Sequence, residues 1–378
     1  MLKSYALCYE RIWTYLKVAI IGAGLSGLSC AIELKNLGVT PTVFEKSDKI
    51  GDLPGYLLTS LRLFTKTIDS PMAYLKKNYN IDIKDFHTLD EIVMVSPNKT
   101  ISAKGSMGYI FEKGPDKTTL ENQLSLAADL SINFNTYINL NDIKKDFDHI
   151  VVATGSPIIA EELNVWITTF RAQIRIAKVL GDFKPGLLKI WLNKNYANNG
   201  YGYLTTKTKK MAELILIVSD IEHNELDDYW NTFISGENIK YDITAVNDIP
   251  HIIGYSKPVH MGNIYFTGNA AGMIDSFLGF GSIRAIESGV LAARAIAKNL
   301  DYSKLIDPLL KEVDFMYNYR KMINNLNNND YDKLVSFIGL PVIKQMLYNN
   351  PIYKAKHGIL FPKIINLFKQ NSNKINLL

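Results

Sequence analysis

Three glycines, Gly22, Gly24 and Gly27, follow the apolar run Val18–Ile21 in the stretch VAIIGAGLSGLSCAIELKNLG. The spacing G-x-G-x-x-G suits one kind of chemistry, holding a diphosphate against bare backbone. The first glycine permits a tight turn, the second lets the phosphates approach, and the third lets a helix pack closely on the preceding strand. Leu25 and Ser26 open that helix, whose free N–H groups and positive dipole end face the phosphates. Glu45 ends the next apolar run, with Lys46 beside it. It lies about 20 residues downstream, where an acid accepts hydrogen bonds from a ribose. The pattern predicts a dinucleotide site; the plainer alternative is a glycine-rich turn with Glu45 merely solvated.

Two distant stretches bear on which dinucleotide. DFDHIVVATGS (146–156) reads as a buried strand ending in the turn Ala153-Thr154-Gly155. GNIYFTGNAAGMIDSFLGFGSIRAIESGVLAARAIAKNL (262–300) reads as a strand, a turn at Gly268 and Asn269, and a loop carrying Gly279, Phe280 and Gly281. A long helix follows, with Ser282 as its expected N-cap and a small-residue face at Ala285, Ser288, Gly289, Ala292 and Ala293.

Together the three stretches resemble the FAD-binding signatures of flavoproteins related to p-hydroxybenzoate hydroxylase, within them the geranylgeranyl reductase-like branch. The resemblance implies FAD held by all three turns, with the helix after Ser282 aimed at the flavin ring to stabilise negative charge on its reduced form. It also marks departures. Asn269 stands where the family carries an aspartate, so its bond to the ribityl chain loses its charge assistance. Ser276 and Thr206 stand where prolines are usual, and Lys113 lies near a customary arginine. The loop Lys49–Tyr56 lacks the cysteine common in prenyl reductases.

The resemblance leaves three reactions open: reduction of a C=C bond in a prenyl or lipid-like substrate, oxygen-dependent hydroxylation, or FAD binding for electron transfer without turnover. Tyr201, Tyr203, His260 and Asp275 are the candidate proton donors, with Asp275 and Tyr203 chosen as catalytic candidates. The chain has no second G-x-G-x-x-G after a strand, so reducing equivalents are expected from outside: docked NAD(P)H, another reduced flavin, or an electron-donor protein such as an iron–sulfur carrier.

These residues need an α/β fold to position them. We expect a Rossmann-type FAD-binding domain, with a parallel sheet and helices, assembled from 17–61, 105–156 and 261–300. An antiparallel sheet formed from 62–104 and 157–260 would serve as substrate domain, and 301–378 would be helical. The alternating stretches FRAQIRIAKVLGDF, LLKIWLNK, GYGYLTT and AELILIVSDI support the antiparallel sheet. After Asp332 the chain has no acid but has lysines at 333, 344, 354, 356, 363, 369 and 374. They form either a basic patch on an anionic membrane surface or a helical cap with its lysines in water.

Composition sets the remaining bounds. The 378 residues, 47% hydrophobic and 21% charged, are ordinary for a globular protein. A net charge of +5 without a basic, aromatic-laced stripe argues against nucleic acid. Two cysteines, Cys8 and Cys30, form no disulfide framework or metal-ligand set, which fits a reducing cytoplasm. Residues 1–17 read as a short amphipathic helix rather than a signal peptide, and no later run reaches the roughly 20 apolar residues of a spanning helix.

Overall fold

The computed structural model describes residues 16–51, 55–64 and 70–345 of the chain. The expected N-terminal amphipathic helix and the lysines beyond 344 lie outside them. Val18–Ile21 is a strand buried at all its positions, so it needs sheet neighbours on both sides. It pairs in parallel with Thr42–Phe44 and with His149–Val152. Ile132–Asn133 and Ile264–Phe266 extend the sheet on either side, again in parallel, and His260–Met261 closes one edge as an antiparallel turn-back.

Two helices pack together over this sheet, Leu25–Asn36 and Ser282–Lys298. Gly289 makes their contact backbone-close, and Gly27 makes the first helix backbone-close to the turn before it. A Cβ on Gly289 would meet the Ser26 carbonyl oxygen at 2.1 Å, and one on Gly27 would meet the Gly22 carbonyl oxygen at 2.0 Å. The Ser29 hydroxyl donates to the Ile286 carbonyl at 2.9 Å across the same seam. Cys30 is a fully buried core residue of the first helix.

The second sheet has eight strands, in the order 242–256, 166–180, 211–219, 201–206, 187–191, 87–96, 99–113 and 56–61. Its pairs are antiparallel except one: His87–Ser96 runs parallel to Leu187–Trp191. The sheet curls back on itself. Four strands separate 211–219 from 56–61, which in a flat sheet would set them about 24 Å apart at ~4.8 Å per step. Yet the Leu57 N–H donates to Glu213 at 2.6 Å. The outer face at Gly202, Leu204, Leu214 and Leu216 is covered by helix Leu226–Gly236, whose Phe233 ring approaches Gly202 so closely that a Cβ there would lie 2.8 Å from it. The inner face carries Tyr201, Tyr203, Thr205, Glu213 and Ile215, by the pairings Tyr203↔Ile215 and Thr205↔Glu213.

The division of the chain between the layers differs from the expected segments. Tyr56–Leu61 and the whole of Lys99–Lys113 are strands of the second sheet, so the excursion from the nucleotide-binding layer starts before 62 and ends after 105. Within that excursion, helix Pro71–Tyr79 returns to the first layer. Leu75 joins its core, and the Tyr74 hydroxyl donates to Glu287 at 2.6 Å. Helix Tyr302–Asn324 spans both layers: Tyr302, Ile306 and Leu309 pack on the first core, and Met316, Tyr319 and Ile323 on a cluster with Met94 and Ile101 of the second sheet.

Gly27→Ala places a methyl group within the carbonyl of Gly22 and forces strand and helix apart. We expect a loss of at least about 2 kcal/mol, read as a lower midpoint in chemical denaturation.

Candidate functional site

The three turns expected to share a ligand meet at the C-terminal ends of the parallel strands, where open α/β sheets bind ligands. Gly22, at φ +105°, lies against the second turn, where a Cβ would meet the Ala153 carbonyl oxygen at 2.5 Å. Gly268, at φ +57°, lies against the first helix, where a Cβ would meet the Ser26 hydroxyl at 2.5 Å. Its N–H is held at 2.9 Å by the Ser288 hydroxyl. Asn269 links the third turn to the second, its side-chain amide donating to the Gly155 carbonyl at 3.2 Å. Three other glycines face open space: a Cβ on Gly24, Gly155 or Gly279 would have nothing within 4 Å. Glycine thus serves two purposes here, closing the framework at 22, 27 and 268 and leaving a trough clear at 24, 155 and 279.

Glu45 ends its strand beside this trough. One carboxylate oxygen accepts the Ala23 N–H at 2.8 Å, the other the Ser47 N–H at 3.1 Å, so it anchors the glycine-rich turn. Leu25 and Ser26 are buried, Thr154 is half-buried with its hydroxyl on the Ser156 carbonyl, and Lys46 is exposed.

The loop 275–281 is braced from three sides. Asp275, 1% exposed, accepts the Leu278 N–H at 2.8 Å on one oxygen and pairs with Arg284 at 2.8 Å on the other. Arg320, 3% exposed, donates to the carbonyls of Ser276, Phe277 and Asn199. The Tyr201 hydroxyl donates to the Leu278 carbonyl at 2.8 Å, tying the second sheet to the loop. Leu278 and Phe280 then close one end of an apolar interior with Leu57, Leu61, Leu188, Ile190 and Tyr203.

This geometry separates the candidate proton donors. Both oxygens of Asp275 are engaged in shaping the loop, and the Tyr201 hydroxyl is spent on Leu278. His260 lies on the outer edge strand, its ring 4.5 Å from that of Tyr265, away from the trough. Tyr203 faces the curled interior, and burial holds its hydroxyl well above the ordinary tyrosine value, so it stays a neutral phenol. Ser282 is not a cap: the helix begins at Ser282 itself, Gly281 occupies the cap position, and no side chain bonds the first turn. Lys113 pairs with Glu121 at 3.1 Å and sits over the Tyr56 ring, so its charge is met within the protein.

One group escaped the sequence reading. Glu213, 4% exposed, projects into the curled interior beside Tyr203 and Thr205. Its sequence signal is an acid inside the otherwise apolar strand AELILIV.

The comparisons with known proteins follow this division. Residues 20–88 match the model of the NAD(P)-binding Rossmann-like domain. A stretch of 51 residues is 49% identical to the small chain of an NADPH glutamate synthase from Halomonas elongata, covering 14% of this chain and 11% of that one. Over nearly the whole chain, the fold is similar to a geranylgeranyl bacteriochlorophyll reductase-like protein from Thermoplasma acidophilum, with TM-score 0.69, 18% identity, and 93% and 99% of the two chains covered. It is also similar to a flavoprotein/dehydrogenase from Cytophaga hutchinsonii (TM-score 0.65, 12% identity, 94% and 99% covered) and to a flavin-dependent brominase (TM-score 0.63, 13% identity, 95% and 100% covered). At these identities the likeness is one of fold, and the expected α/β architecture with a second sheet and C-terminal helices is met.

Burial pushes the Glu213 carboxyl up from 4.5 to about 7, against the opposing Leu57 N–H and the charges of Lys178 and Lys207. In the unfolded chain this group loses its proton near the ordinary value, whereas the folded state keeps it to about 7. Between the two the folded state binds the extra proton, so stability falls as pH rises through that window and stays lower above it. Glu213→Gln removes the penalty. Relative to the native protein it should gain up to about 3 kcal/mol between about pH 5 and about pH 8, measured by denaturation at both pH values.

Proposed function

We propose that this chain is an FAD-dependent oxidoreductase that reduces C=C bonds of a hydrophobic, prenyl- or lipid-like substrate. The observation that carries the reading is the open trough. Three turns far apart in sequence converge with glycines whose absent side chains leave room for an extended nucleotide, and the loop beside it packs Leu278 and Phe280 against the apolar inner face of the second sheet. Gly24 and Gly155 would admit the pyrophosphate and Glu45 the ribose, with Asn269 toward the ribityl chain and 279–282 along the ring. When bound, FAD supplies the hydride. The chain's own part is to orient the substrate between Leu278, Phe280 and the inner sheet face, to exclude water there, and to present the neutral Tyr203 hydroxyl as a proton source.

Reducing equivalents enter from outside in this reading, from NAD(P)H or a reduced carrier protein. No described helix is long and apolar enough to cross a membrane; a lipid substrate would be met at a membrane surface, toward which the lysine-rich C-terminal stretch is the contact we propose. The fold likeness to a brominase and to a putative FAD-containing monooxygenase from Photorhabdus luminescens (TM-score 0.55, 13% identity, 86% and 100% covered) favours oxygen chemistry as the second reading.

The purified protein should carry a flavin absorbance spectrum. Once reduced without oxygen, its flavin should be reoxidised by an isoprenoid alkene and not by aromatic acids; hydroxylated product with substrate-stimulated oxygen uptake would replace the reductase with a monooxygenase. Gly24→Glu fills the trough without touching the framework, so it should abolish FAD binding while moving stability by less than about 0.5 kcal/mol. Undiminished FAD affinity in that variant would remove the cofactor from this site.

A further inference from the structure

On the inner face, one buried polar atom is unmet among the described residues. The Thr205 hydroxyl is fully buried and has no hydrogen-bond partner. Directly across the ladder, Glu213 spends one oxygen on the Leu57 N–H and has no partner for the other among the described residues. Tyr203, two residues before Thr205 on the same face, is half-buried beside them. Buried polar groups in native proteins are nearly always paired. Valine has the shape of threonine and would remove the unmet hydroxyl at no loss of packing, so a buried, unmet hydroxyl opposite a carboxyl group in a wall of Leu57, Leu188, Ile190 and Ile215 calls for a partner that is not protein.

We propose that Thr205 and Glu213 form a polar subsite that takes the neutral hydroxyl end of an otherwise apolar substrate. The subsite deepens the function proposed above, because it lies on the same inner sheet face. Strand rise sets its distance from the loop. Thr205 lies four residues from Tyr201, which touches the loop, or about 13 Å at ~3.3 Å per residue. A substrate anchored here by its head would extend its hydrocarbon chain toward Leu278 and Phe280. A carboxylic acid beside a hydroxyl can both give and accept a hydrogen bond, which matches an alcohol. An anionic head is disfavoured, since it would lie against Glu213 and require that group to stay protonated.

Equilibrium dialysis of the protein with farnesol, farnesene and farnesyl diphosphate tests this without relying on flavin. The native protein should bind farnesol about tenfold more tightly than farnesene, the equivalent of about 1.4 kcal/mol, and more tightly than the diphosphate. Thr205→Val should bring the farnesol-to-farnesene ratio to about one while leaving farnesene affinity unchanged and the fold at least as stable. Glu213→Gln, which keeps a donor and an acceptor, should preserve most of the preference, and Glu213→Leu should lose it. Equal binding of farnesol and farnesene by the native protein, or a preference that survives in Thr205→Val, would overturn the subsite. A farnesol preference in protein that takes up no FAD would uphold the subsite and remove the proposed function. FAD uptake without the preference would do the reverse.

Discussion

A Cβ on Gly268 would lie 2.5 Å from the Ser26 hydroxyl, and a Cβ on Gly289 2.1 Å from the carbonyl oxygen of the same residue. Ser26 is therefore the point where the opening turn, the third turn and the helix Ser282–Lys298 are pressed together, although Gly289 lies 263 positions further along the chain. The rest of the trough depends on that closeness. With helix 282–298 moved outward by the width of a methyl group, the Ser288 hydroxyl would leave the Gly268 N–H. The small-residue face of that helix is a means of bringing backbone to backbone, and the ligand-facing geometry follows from it.

Loop 275–281 is the second constraint, and it is held electrostatically. Arg284 and Arg320 give their guanidinium groups to its carbonyls, and Asp275 balances Arg284. Burial presses the Arg320 pKa downward, and the Phe170 ring lies 4.4 Å from its charge. Removing Arg320 would leave the buried carbonyls of Ser276 and Phe277 without its donors, a cost of about 1–3 kcal/mol for each group. A rigid loop positions whatever lies beside it, consistent with catalytic geometry being set by a supporting shell.

What was legible from the sequence is what the backbone dictates locally. Gly22, Gly24 and Gly27 announce a strand, a turn and a helix within ten residues, and the same holds for 150–155 and 264–289. What was not legible is what distant chain segments do to a side chain. Asp275 reads as a candidate proton donor until Arg284 is seen to face it, and Lys113 as a neighbour of a customary arginine until Glu121 is seen to pair with it. Ser282 looks like a cap by type, but the helix starts one residue earlier than a cap would allow. Glu213 is the converse case: its environment exists only because the sheet curls far enough to bring Leu57 over it, and no local pattern encodes curvature. The boundaries between layers were misjudged for the same reason, since Tyr56–Leu61 and Lys99–Lys113 have strand patterns that suit either sheet.

The one parallel pair in the second sheet, His87–Ser96 beside Leu187–Trp191, carries a consequence for assembly. Parallel neighbours cannot be joined by a hairpin, and here the connection is the longest in the sheet. It runs back through helix Leu120–Ala128 and strand His149–Val152 of the other layer before returning. The curled sheet therefore draws its neighbouring strands from chain segments on either side of a central strand of the other layer. The two layers are interlaced rather than tethered, so neither corresponds to one continuous stretch of the chain.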